Sequence, residues 1–142
     1  MKTNKNIFSS LLFPLILIFF TGCTNYDPWL SSGITKQEAD LWMELKFTVK
    51  KANLWNRYGF SPSESFKWQS RGFEPFKGNN LGSNRSLSAV DWKRSGFNLN
   101  DSIAWRDSGF DSSKAKEWKS SNFQLSEAKS WKDSGFSAKD AS

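Results

Sequence analysis

The sequence contains no histidine and only one cysteine among its 142 residues. Histidine is the commonest general acid or base, and the carboxylates recur at regular intervals rather than as an isolated pair. No Cys/His/Asp group has the spacing of metal ligands, and no glycine-rich phosphate loop occurs in the sequence. With Cys23 alone, no internal disulfide can form. We therefore expect no enzyme activity, no catalytic residues, no metal site and no cofactor other than a covalent lipid.

Aliphatic side chains are also scarce in the part of the chain that could form a core. From residue 29 onward there are twelve Leu, Ile and Val residues, against eight Trp and nine Phe. A core without the aromatic side chains would therefore bury very little apolar surface. We expect the tryptophans to lie in the core, and the alternative is a row of exposed rings that stack on sugars or bases.

The tryptophans define a tandem repeat. They recur every thirteen residues, apart from one interruption, and a fixed period of this kind is typical of repeat architectures. The fourth residue after each Trp is usually glycine, and the fifth is Phe or, once, Ile34. The residue three before the Trp is usually alanine. The eight repeat positions are Trp29, Trp42, Trp55, Trp68, Trp92, Trp105, Trp118 and Trp131.

Each period carries the signals of one short helix. The sixth residue after the Trp is a good N-cap in five repeats, and an acidic residue often follows three positions later, as in the capping box Thr35–Glu38. The glycine after the Trp suits the left-handed residue that ends a helix, whereas Lys46 in this position should cost about 1 kcal/mol. We therefore predict an all-α, solenoid-like array of short helices. The predicted N-caps are Thr35, Ser61, Asn98, Asp111 and Ser137.

One irregular insertion, residues 74–85, interrupts the array. It separates a first half-array, residues 29–73, from a second, residues 86–142, and it is rich in turn-forming residues. Phe76 and Leu81 are its only large apolar residues and would anchor it if it docks. The insertion is either a flexible hinge or a functional loop. The next Trp would fall at position 144, so we expect the last unit to be a shortened cap or to be completed by another chain.

The N-terminus has the layout of an export signal. Lys2 and Lys5 precede an apolar run at residues 7–20, which is too short to span a membrane comfortably. The run ends in Phe20-Thr21-Gly22-Cys23, which resembles the lipobox of bacterial lipoproteins. An uncleaved N-terminal anchor and an ordinary secretory signal are the alternatives.

The lipobox resemblance has several implications for the processing and location of the chain. It implies cleavage of residues 1–22, a diacylglycerol thioether and often a further acyl chain such as palmitate at Cys23, and a short tether over residues 23–28. Two or three acyl chains hold a protein stably on a membrane. The resemblance places the chain in the cell envelope, facing the periplasm or the exterior. Thr24 favours the outer membrane if the source is Gram-negative.

These features favour a non-enzymatic binding or scaffold module in the envelope. The leading hypothesis is protein binding, because solenoids present extended surfaces. The alternative is binding of a cell-wall or envelope polysaccharide by exposed Trp rings and a basic strip. The strip consists of the four cations that directly follow a Trp. Cations at these positions, near the helix C-termini, would also complement the helix dipoles. These cations are Lys93, Arg106, Lys119 and Lys132.

Nucleic-acid binding is a third hypothesis, since basic and aromatic residues are mixed along the chain. Export argues against it. Removal of the leader with Lys2 and Lys5 leaves 18 basic and 14 acidic residues, a net charge of +4, which is too mild an excess to indicate nucleic acid by itself. We therefore expect a membrane contact through the lipid, a protein partner or a glycan, and no nucleic acid.

Overall fold

A computed structural model of the chain describes residues 25–76 and 85–142. In these two ranges the protein is all-α, as predicted, and the only β-type pairing there is one isolated bridge between Glu74 and Ser88. A 3-10 turn covers Arg85–Leu87. The helices are α1 (Asp27–Leu30), α2 (Lys36–Glu44), α3 (Val49–Arg57), α4 (Pro62–Gln69), α5 (Ala89–Arg94), α6 (Leu99–Asp107), α7 (Ser112–Ser120) and α8 (Leu125–Asp133).

Every helix α1–α8 contains one tryptophan, so we number units 1 to 8 by these residues, from Trp29 in unit 1 to Trp131 in unit 8. Six of the helices begin six residues before their Trp, so the sequence period sets where these helices begin. Among these helices, none combines the length and the apolar character that crossing a membrane requires.

The N-caps lie where the sequence predicts them. The Thr35 hydroxyl accepts from the Glu38 N–H, and the Glu38 carboxylate accepts from the Thr35 N–H at 3.0 Å, which completes a capping box. The carboxylate also accepts from the Thr35 hydroxyl at 2.8 Å, and the backbone and side-chain hydrogen bonds that Thr35 donates hold the pKa of Glu38 below its usual value. Thr48 caps α3 in the same way and was missing from the predicted set. The remaining predicted caps accept equivalent bonds at Ser61, Asn98, Asp111 and Ser137.

Each of the described helices is followed by a residue in the left-handed region. The six glycines at these corners have φ between 76° and 87°, and Lys46 and Asn122 take the same conformation with φ of 63° and 68°. The next residue, usually Phe, donates its N–H to the carbonyl of the unit's own Trp, as Phe60 does to Trp55 at 3.2 Å. This bond and the contact between the two side chains form a Schellman motif.

The core is a column of tryptophan and phenylalanine rings. Seven of the eight tryptophans are at most 7% exposed, which confirms their predicted role in the core. Within each of these units from 2 to 7, the Trp and Phe rings meet edge to face with centroids 4.9–5.1 Å apart. Ser65 and Ser102 replace the buried alanine in two units, and each hydroxyl donates to the carbonyl four residues earlier.

Units pack both on neighbouring units and on units two positions away. Helices α1 and α2, α3 and α4, and α6 and α7 touch as neighbours, whereas α2 touches α4 and α5 touches α7 across one intervening unit. The stacking therefore has a period of two units along the array. A unit buries both of its faces only if units lie before and after it.

The stacking continues across the interruption. The Glu74 N–H donates to the Leu87 carbonyl and the Ala89 N–H donates to the Glu74 carbonyl, both at 2.9 Å, so the two ends of the interrupting segment lie side by side. Unit 5 then packs on unit 3 and unit 4 through Lys93, which forms an ion pair with Glu64 of α4 at 2.9 Å. The units on either side of the interruption thus contact one another as consecutive units do.

Candidate interaction surface at the end of the array

The four cations predicted to form a basic strip each lie over a phenylalanine ring. Each ring belongs to the unit two positions earlier, so the cations follow the two-unit period of the stacking. Such cation–π contacts are worth about 0.5–1 kcal/mol each at exposed sites. The distances to the ring centroids are 4.3 Å from Lys93 to Phe60, 4.5 Å from Arg106 to Phe73, 4.8 Å from Lys119 to Phe97 and 5.2 Å from Lys132 to Phe110.

Two of these cations also have polar partners in another unit of the array. Lys93 pairs with Glu64, and Arg106 donates to the Arg71 carbonyl at 2.7 Å. The Arg71 carbonyl belongs to the corner that follows α4, so Arg106 satisfies a free acceptor at a helix end. The strip therefore joins each of units 5 to 8 to the unit two positions before it, a role that the sequence pattern alone did not indicate.

The array leaves one tryptophan open. Trp131 is 40% exposed and its partner Phe136 is 46% exposed, although their rings keep the edge-to-face contact, with centroids 5.3 Å apart. Phe123, one unit earlier, is half-buried and has no cation over it in the described ranges. We call Phe123, Trp131 and Phe136 the open end.

The open end is exposed because the described residues contain no complete unit after unit 8. Only one further turn is present, in which Ser137 and Asp140 form a capping box and Ala138 is 5% exposed. The hydrogen bonds from Ser137 hold the pKa of Asp140 below its usual value. The open end therefore has the composition of the unit–unit interface inside the array, but no unit covers it.

The other predicted site residues are dispersed. Phe76 lies 5.5 Å from the Tyr58 ring, measured between centroids, and remains 38% exposed. Leu81 and Cys23 lie outside the described residues. The sequence reasoning missed a cleft of about 210 Å³ between units 3 and 5, because its lining comes from parts of the chain that the fold brings together. The lining consists of Arg57, Tyr58, Phe60, Val90, Lys93 and Arg94.

The open end is an apolar, aromatic surface. It presents aromatic faces, and in residues 25–76 and 85–142 no three His, Cys, Asp or Glu side chains group together as metal ligands would. No protein-family model, curated protein or solved structure matches the chain. Its function must therefore be inferred from its own residues and their contacts.

Proposed function

We propose that the protein is a membrane-anchored envelope lipoprotein that binds another protein, without enzyme activity, through the open end. The observation that supports this most strongly is the exposure of Trp131. Seven tryptophans at the same repeat position are at most 7% exposed, whereas Trp131 is 40% exposed. A solvated Trp–Phe pair at the end of a stacked array is the kind of aromatic anchor that dominates protein interfaces.

The apolar surface at the open end is large enough to contribute substantially to the free energy of binding a partner. If each ring residue can bury about 200 Å², the exposed fractions of Trp131 and Phe136 together leave roughly 170 Å² to cover. At 25 cal/mol per Å², covering it contributes about 4 kcal/mol of gross binding free energy. This is the size of a strong interface hot spot, although the whole partner surface must also supply complementary packing.

The membrane anchor is supported by the sequence pattern around Cys23. The tether at residues 24–28 can span at most about 18 Å, so unit 1 would start close to the membrane surface. The open end belongs to unit 8, at the opposite end of the array from the tether.

The burial of the tryptophans removes most of the support for binding a polysaccharide. Stacking on sugars needs exposed rings, and of the eight tryptophans only Trp131 offers one. The cations of the basic strip already lie over phenylalanine rings of the array. In the cleft beside Arg57 and Arg94, one of the cations that an anionic glycan would need, Lys93, is already paired with Glu64. We therefore retain protein binding as the proposed function.

The experiment is photo-crosslinking in living cells from position 136. Phe136 is replaced by a benzophenone amino acid in the full-length protein, and we expect one defined protein adduct after irradiation. The matched control carries the same amino acid at Phe66, which is 47% exposed against 46% for Phe136 but lies on α4. No adduct from position 136, or the same adducts from both positions, would contradict the proposal.

The anchor is tested separately by Cys23→Ser. If Cys23 carries the lipid, this variant should leave the membrane fraction, because the acyl chains supply the membrane affinity. Retention in the membrane fraction would instead indicate an uncleaved N-terminal anchor. The crosslinking from position 136 would still test protein binding, because it does not depend on how the chain is anchored.

A further inference from the structure

We propose that the partner at the open end is a second copy of this chain, whose units 1 and 2 continue the array of the first copy head to tail. This inference rests on the proposed function, because it uses the same surface. It adds the identity of the partner and the part of the partner that binds.

The internal stacking rule specifies what should cover the open end. In units 5 to 8 the side chain that follows the Trp lies over the Phe of the unit two positions earlier, as Lys132 lies over Phe110. If a ninth unit followed, the same rule would place the side chain after its Trp over Phe123. In a tenth unit, the side chain after the Trp would lie over Phe136.

Units 1 and 2 carry apolar side chains at this position. Leu30 follows Trp29 and Met43 follows Trp42, whereas all later units have an amide or a cation there. No described unit precedes unit 1, and Leu30 is 51% exposed. A polar residue would suit a free end better. An apolar residue suits a position that covers an aromatic ring, so Leu30 and Met43 of a second copy fit over Phe123 and Phe136.

This contact joins two different surfaces, the start of one array and the end of another. Such a heterologous interface does not close on two copies but extends into a chain or closes into a ring. It therefore predicts assemblies of more than two copies, each held beside the membrane by its own lipid.

The test is site-specific crosslinking between two co-expressed, differently tagged full-length copies. One copy carries Leu30→Cys and the other carries Phe123→Cys, and a short bismaleimide is added to isolated membranes. We expect a crosslinked heterodimer. The matched control replaces Leu30→Cys by Leu41→Cys, because Leu41 is equally exposed at 51% but precedes a Trp instead of following one. We expect at least a tenfold lower yield from this control, and copies without new cysteines give the background.

The direction of the contact is tested with Trp131→Glu. Placed in the copy that carries Phe123→Cys, this substitution should abolish the crosslink, because it adds a charge to the open end. Placed in the copy that carries Leu30→Cys, it should leave the yield unchanged, which also shows that the variant folds. A single copy with both Leu30→Cys and Phe123→Cys should give a ladder of oligomers.

Three results would overturn the inference. They are the absence of any heterodimer, an equal yield from Leu41→Cys, and a loss of the crosslink whichever copy carries Trp131→Glu. If position 136 meanwhile captures a different protein in cells, the proposed function stands and only the identity of the partner is wrong. If position 136 captures nothing, both proposals fail.

Discussion

Trp55→Ala is expected to lower the free energy of unfolding by about 3–5 kcal/mol. Trp55 is fully buried in α3, its ring packs edge to face against Phe60 with centroids 5.0 Å apart, and units lie on both sides of it. Truncation to alanine leaves a cavity that rigid neighbouring helices cannot fill. The measurement is equilibrium denaturation of the purified protein followed by far-ultraviolet circular dichroism, which does not depend on the lost fluorophore.

The matched control is Trp131→Ala. Trp131 occupies the same repeat position in a helix of the same length, but it lies at the open end and is 40% exposed. We expect it to cost less than half as much as Trp55→Ala, because solvent already reaches the ring and no closed cavity forms. Equal losses from the two variants would show that unit 8 is covered in the free protein, which would contradict the exposure of the open end.

Gly59→Val is expected to lower the free energy of unfolding by about 2 kcal/mol. Gly59 ends unit 3 with φ of 76°, a conformation that a β-branched residue adopts only with strain. Apart from the two flanking residues, no heavy atom lies within 4 Å of an added Cβ at this position, so the loss reports mainly the backbone conformation. The same denaturation measurement applies.

The opposite substitution provides the control. Lys46 occupies the corresponding corner of unit 2 with φ of 63°, so Lys46→Gly should raise the free energy of unfolding by up to about 1 kcal/mol. Two substitutions at equivalent corners thus have opposite predicted signs. A neutral Gly59→Val together with a destabilising Lys46→Gly would mean that these corners do not hold the left-handed conformation.

The local structure of each unit could be predicted from the sequence because its signals are local. The caps, the helix stops and the Trp–Phe spacing all fall within thirteen residues, and the structure confirms the corner conformation even at Lys46 and Asn122. Thr48 could also have been predicted as a cap, since it occupies the same repeat position as Thr35. The contact between Trp and Phe five residues apart follows in the same way from the spacing of a Schellman motif.

The relations between units could not be predicted in this way. Whether Lys93 points to solvent or lies over Phe60 depends on how far each unit rotates relative to the last, and no residue pattern within one period specifies that angle. The exposure of Trp131 has the same origin. Its local sequence resembles that of Trp105, which is 7% exposed, and only the presence or absence of a covering unit distinguishes them.

The most direct test of the central claim, that the open end is an interface, is hydroxyl-radical labelling of the tryptophans in two states of the full-length protein. In dilute purified protein, Trp131 should be oxidised while the other seven tryptophans are protected, in line with their burial. In intact cells, where the partner is present, Trp131 should become protected as well. Equal oxidation of Trp131 in both states would contradict the claim.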